Sequence, residues 1–278
     1  MLSITDFIIL FLFGSLGGFM SGFLGIGGGI IYVPILDYFL SKYFGTGNEL
    51  VKAVLANSLF IIIFSAAVAS YKQFKMGNFF LKETLQTMLP GIVSVIVLHT
   101  LINNGTWYSR SVFLYFFLTM LIFVVVKMFM PKPKVEATTE TKTNNYKYNI
   151  TGAFAGIVTA MSGLGGGVIM TPVYTEWIKL DIKKASAIST GVIFGFAIVI
   201  GILNLNAKPE TYISNWQFGY IFLPIALPLI VGTFLFAQLG VKTAQKSKSQ
   251  TIRITFASFA SIILIKVIYE ILSLNSII

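Results

Sequence analysis

Residues 21–34 read SGFLGIGGGIIYVP. They lie inside an apolar run from Phe7 to Leu40, and Gly25, Gly27, Gly28 and Gly29 crowd into five positions of it. A glycine in a helix interior costs about 1 kcal/mol relative to alanine, so this cluster marks a break. The run is also too long for one straight crossing, which takes roughly 17–25 residues at about 1.5 Å each. The same arrangement returns with a shift of 138: Gly14, Gly18, Gly25, Gly27, Gly28, Gly29 and Pro34 fall on Gly152, Gly156, Gly163, Gly165, Gly166, Gly167 and Pro172. A second run, Ile150 to Trp177, is interrupted in the same way.

Composition agrees with a membrane setting. With 56% hydrophobic and 11% charged residues and a mean hydropathy of +0.84, the chain cannot present a polar surface on all sides. Uninterrupted apolar runs appear at about 53–70, 84–102, 112–130, 185–203, 217–238 and 254–272. The fold class expected is therefore all-α and polytopic, with two inverted repeats, each a Gly-broken helical hairpin, re-entrant or crossing, plus three transmembrane helices. Residues 1–130 form the first repeat, 131–149 a polar Thr- and Lys-rich linker, and 150–278 the second repeat. The first run has no basic flank before it and no small-residue cleavage site at a suitable distance, and is read as retained structure.

The orientation follows from the basic residues. If each interrupted run crossed once, the 20 Lys and Arg would divide equally between the two sides. If each run goes in and comes back, one side collects 15 and the other 5, the bias that the positive-inside rule expects. Turning back gives each half an odd number of crossings and inverts the halves, with the linker cytoplasmic and both termini outside the cell membrane. The net charge of +10 is then an orientation signal and not a nucleic-acid surface.

A helix starting at the glycine break points free N–H groups and the positive end of its dipole at the interior, an arrangement suited to anions. The candidate substrate-binding residues are Gly27, Gly28 and Gly29 with Gly165, Gly166 and Gly167, and Asn57, Ser58, Ser189 and Thr190 from the matching stretches KAVLANS (52–58) and KASAIST (184–190). Those four polar residues fit equally well as anion ligands or as helix-to-helix hydrogen bonds. Gly14, Gly18 and Gly22, four apart, read as a helix-packing stripe. His99, the sole histidine, reads as an interfacial residue and not a proton carrier; Lys266 and Glu270, four apart, are expected to pair. Asp37, Glu83, Glu176 and Glu270 fall near segment ends, which argues against a cation as substrate. No cysteine and no clustered His, Asp or Glu is present, so no metal, cofactor or catalytic set is expected.

GFLGIGGGIIYVPIL (22–36) and SGLGGGVIMTPV (162–173), each followed by a KAxxxxS/T stretch, resemble the TauE/SafE family of sulfite exporters and sulfonate-related permeases. The resemblance covers the chain except the linker. It implies a secondary transporter of a small anion, sulfite or an organosulfonate, working by alternating access with a coupling proton or sodium ion. A passive anion channel and a non-transporting membrane subunit are the competing readings.

Overall fold

The computed structural model describes residues 3–129, 145–210 and 212–274. Among the described residues ten helices follow in order: α1 (Ile4–Leu24), α2 (Gly29–Phe44), α3 (Asn48–Lys75), α4 (Leu81–Asn104), α5 (Arg110–Phe129), α6 (Asn145–Ser162), α7 (Gly167–Glu176), α8 (Ile182–Leu205), α9 (Leu223–Lys246) and α10 (Ser249–Leu274). The only strands among the described residues, β1 (Gln217–Phe218) and β2 (Ile221–Phe222), form a small antiparallel hairpin before α9. Six of the described helices, α1, α3, α4, α5, α8 and α9, are long and apolar enough to cross a bilayer. The protein is an all-α, multi-pass membrane protein.

The helices follow the two stretches that the sequence aligns. Each half is a helix pair broken at its glycines, followed by three long helices. The packing keeps its pattern when the halves are exchanged: α1 lies along α9 as α6 lies along α4, while α3 meets α8 and α5 meets α10. Both pairs turn back at the break. Tyr32, on α2, stacks into the place where a side chain at Gly17 of α1 would stand.

The open ends of the two hairpins lie at opposite ends of the bundle. α5 spans between them: Arg110 at its start binds Asp37 of α2, and Lys127 near its finish binds Glu176 of α7 at 2.6 Å. Lys184 with Glu83, and Gln245 with Gln73, gather at the α7 end. Glu49, Tyr220 and Glu210 gather at the other.

Hydrophobic burial cannot drive helices together in lipid, so close backbone approach has to. The glycine stripe of α1 provides it. Side chains at Gly14, Gly18 and Gly22 would run into the backbone of Leu229, Thr233 and Ala237 on α9. Gly152 and Gly156 of α6 stand likewise on the backbone of Thr87 and Gly91 of α4. Hydroxyls lock the return arms across the bundle: Tyr32 bonds Thr233 at 2.8 Å, which donates to the Gly14 carbonyl, and Tyr174 donates to Thr87 at 2.8 Å.

Some boundaries differ from the apolar runs. α6 starts at Asn145, inside the stretch read as linker, and the remainder of that stretch, 131–144, lies outside the described residues. The run 217–238 is not one helix, because Gly219 takes a left-handed φ of 56° in the β1–β2 turn and the helix waits for Leu223. The hairpin arms are unequal: the 21 residues of α1 make about 32 Å, and the 10 residues of α7 about 15 Å.

Candidate functional site

Both breaks are built alike. α1 ends on Gly25, whose φ of 69° and N–H bond to the Ser21 carbonyl close the helix with a left-handed cap. Gly27 and Gly28 follow at 92° and 75°, and α2 then starts. In the second half Gly163, Gly165 and Gly166 take 70°, 83° and 75°. Three residues with positive φ in four positions are tolerated only by glycine. At the start of α2, Ile31 and Tyr32 donate back to the Gly28 carbonyl; Ile169 and Met170 do the same to Gly166. The N–H groups of Gly29 and Ile30, and of Gly167 and Val168, keep no acceptor inside their helices.

The two tips touch. A side chain at Gly29 would stand 2.6 Å from the Gly163 carbonyl oxygen and from the Leu164 Cα. One at Gly167 would stand 2.7 Å from the Gly25 carbonyl oxygen and the Ile26 Cα. The loops thus pass side by side in opposite directions, backbone against backbone. Ile62 of α3 and Ile193 of α8 flank both loops, beside Gly27 and Gly165. The Ser58 hydroxyl donates to the Gly163 carbonyl at 2.8 Å and the Ser65 hydroxyl to the Gly27 carbonyl at 3.3 Å. Tip carbonyls are therefore held from α3, and two helix N-termini converge on an uncharged, buried junction.

The candidate residues divide. Gly27, Gly28 and Gly29 meet Gly165, Gly166 and Gly167 at this junction, with Ser58 holding one tip. Asn57 points elsewhere. Its Nδ2 donates to the Ala53 and Tyr220 carbonyls at 2.8 Å, and its Oδ1 accepts from Phe222 N–H at 2.9 Å, which ties β2 to α3. Thr190 bonds back to the Ser186 carbonyl, one turn earlier, and Ser189 sits 3.5 Å from the Thr171 hydroxyl. Sequence reasoning missed Ser65 and Ser186, the latter packed where a side chain at Gly25 would stand. The signal for Ser65 was its place two helical turns after Ser58.

Charged residues also depart from expectation. Glu270 binds Arg110 of α5, and Lys266 donates to the Pro34 carbonyl of α2 at 3.0 Å, in place of the expected pair. Asp37 is a buried carboxylate gripped at both oxygens by Arg110 at 3.0 Å. His99 places Nε2 3.1 Å from the Asn204 Oδ1 and stays part-buried. Among the described residues no three His, Asp or Glu side chains stand close enough to hold a metal ion.

The sequence matches known proteins. Residues 10–267 fit the family model described as sulfite exporter TauE/SafE. A probable membrane transporter protein of Methanocaldococcus jannaschii is 27% identical over 91% of this chain and 92% of its own length. A probable membrane transporter protein of Haemophilus influenzae is 25% identical over 94% of this chain and 97% of its own. A third, from Bacillus subtilis, is 24% identical over 95% and 98%. No solved structure matches the chain. The family model spans nearly the whole chain, both glycine-broken hairpins included: the chain belongs to the TauE/SafE sulfite exporter family.

Proposed function

We propose that the protein is a secondary transporter that moves a small anion, sulfite or an organosulfonate, across the cell membrane by alternating access. The observation that carries this reading is the contact of the two glycine tips, where the N-termini of α2 and α7 converge without a counter-charge. Backbone N–H groups of Gly27–Gly29 and Gly165–Gly167 hold the anion, and Ser58, Ser189 and Thr190 shape the walls around them. Tips in van der Waals contact leave no room between them, so this is a closed conformation, and substrate enters when one hairpin parts from the other. The hairpins open toward opposite ends, so each parting exposes the junction to one side, as in inverted-repeat carriers. The loop count that gives one side 15 of the 20 basic residues supports the end holding Lys184 and Glu83 as the cytoplasmic one.

The test is flux in proteoliposomes, with sulfite compared against taurine, sulfoacetate and acetate. A carrier shows saturable uptake and accelerated exchange against internal sulfite. Uptake that never saturates and shows no exchange would establish a passive channel instead; no uptake of any sulfur anion would refute the substrate class.

A further inference from the structure

Two polar clusters at opposite ends of the bundle are built alike, and the anion reading uses neither. At the α7 end, Gln245 on the last turn of α9 donates its amide to Gln73 on the last turn of α3 at 3.4 Å, and Lys183 at the start of α8 donates to the Gln245 carbonyl at 3.0 Å. At the other end, Asn103 on the last turn of α4 and Asn204 on the last turn of α8 meet on His99 of α4. Its Nε2 lies 3.0 Å from Asn103 Nδ2 and 3.1 Å from Asn204 Oδ1, and Lys52 near the start of α3 donates to the Asn103 carbonyl at 3.4 Å. Exchanging α3 with α8 and α9 with α4 turns one cluster into the other.

The helices so tied are those that carry the hairpins, since α9 lies along α1 and α4 along α6. Their opposite ends are fastened independently. Asn57 of α3 holds Tyr220 and Phe222, which lead into α9, and Glu83 at the start of α4 pairs with Lys184 of α8 at 3.1 Å. A glycine tip lies a short way behind each cluster. Gly25 packs on Ser186, one turn into α8 from the α7 end, and Gly163 on Leu55, two turns into α3 from the other.

Resting on the transporter reading, we propose that these clusters are the two gates of the carrier: Gln73 and Gln245 latch the α7 end, and His99, Asn103 and Asn204 latch the other. A gate opens when its end of α9, or of α4, parts from the α3–α8 pair. Hydrogen bonds between neutral groups are exchanged for bonds to water at small net cost, so a latch holds its end shut and releases it without leaving a buried charge unpaired. The parting takes place in the turns beyond Thr233 of α9 and Thr87 of α4. The Tyr32 and Tyr174 hydroxyl bonds, and the ties of α2 to α5 and α10 and of α7 to α5, therefore stay in place.

The gates are tested first without substrate. In the cysteine-free chain, spin labels at the exposed positions Lys75→Cys and Lys246→Cys report the α7 end, and labels at Asn104→Cys and Asn206→Cys the other, by double electron–electron resonance in lipid nanodiscs. Gln73→Ala should raise the ratio of wide to narrow distances at the α7 end by about tenfold, the effect of one lost buried hydrogen bond, and leave the other end unchanged. His99→Ala should do the reverse. Gln245→Ala and Asn204→Ala replace them where either fails to fold. Unchanged distances at the mutated end, or both ends widening together, overturn the proposal. In liposomes, joining Gln73→Cys to Gln245→Cys, or Asn103→Cys to Asn204→Cys, with a short bismaleimide, whose thioethers sulfite does not cleave, should stop sulfite exchange. Joining Glu83→Cys to Lys184→Cys, at a fixed end, should preserve it. Exchange that survives both latch cross-links overturns the gates and leaves the carrier standing. Latches that open on mutation in a protein without sulfite flux count against the anion and leave the gates standing.

Discussion

Replacing Gly29 with alanine tests the tip junction with one methyl group. The new Cβ would stand 2.6 Å from the Gly163 oxygen and the Leu164 Cα, about 0.8 Å inside an ordinary 3.4 Å contact. Both neighbours are backbone, so no side chain can swing aside; the hairpins must separate as units. Gly29 is not among the positive-φ positions, so the steric wedge is the whole perturbation. Overpacking of this kind costs about 1–3 kcal/mol. Gly167→Ala meets Gly25 and Ile26 at 2.7 Å and wedges the same seam from the other half.

Because one separation relieves both clashes, the double variant should fall short of the sum of the singles by about 0.5–3 kcal/mol. Gly47, with nothing within 4 Å of its would-be Cβ, is the steric control; as the N-cap of α3 its alanine variant should lose only a capping cost of about 1 kcal/mol and show no coupling to Gly29→Ala. Reversible unfolding in mixed micelles, followed by circular dichroism, gives these stabilities. A neutral Gly29→Ala, or strict additivity with Gly167→Ala, would refute direct contact between the tips.

Other expectations follow from the same geometry. Gly28→Leu and Gly166→Leu, at φ 75° with backbone or Thr159 in the way, should abolish sulfite uptake while inserting normally, whereas Gly18→Leu, against α9, should chiefly lower thermal stability; a comparison of uptake with melting temperature separates them. Asn57→Leu removes three hydrogen bonds and strands the Tyr220 carbonyl and Phe222 N–H, at about 1–3 kcal/mol for each group left unpaired, read as a lower unfolding midpoint. Single cysteines at Lys179 and Lys246 should resist an impermeant thiol reagent in intact cells, and one at Lys208 should react; the reverse pattern would invert the orientation.

The hairpins were legible because glycine is conspicuous in lipid: a helix has little use for Gly27, Gly28 and Gly29 in a row, and the shift of 138 repeated the anomaly. The stripe at Gly14, Gly18 and Gly22 was legible for the opposite reason, since its spacing of four serves packing. Polar side chains were harder. Asn57 and Ser58 are neighbours in sequence but point to different partners, one to the β-hairpin and one to the far tip. Nothing local distinguishes them, because each partner lies more than a hundred residues away. Asp37 and Glu270 were read from their distance to segment ends, which says nothing of Arg110 across the bundle. The pairing of Lys266 with Glu270 failed because a nearby helical turn competes with a guanidinium from α5 and the Pro34 carbonyl of α2.

The junction is nearly the same from either half, but its anchors are not. At one end the connection from α8 to α9 carries the β1–β2 hairpin, fastened by Asn57 and by Tyr220 bonding Glu49 at 3.0 Å. The corresponding connection from α3 to α4, residues 76–80, is a short turn. Ser189 stands where Asn57 stands in the first half and lacks the reach of an amide. The first return arm is held by a shared guanidinium and by Lys266, the second by one exposed ion pair. For the proposed carrier this division has a physical use. A symmetric seam lets two opposite partings cost nearly the same, so neither side is closed by the seam itself. The asymmetric anchors then decide which parting is favoured, and a ligand needs to alter only an anchor, by its differential affinity for the two states, to reverse the preference.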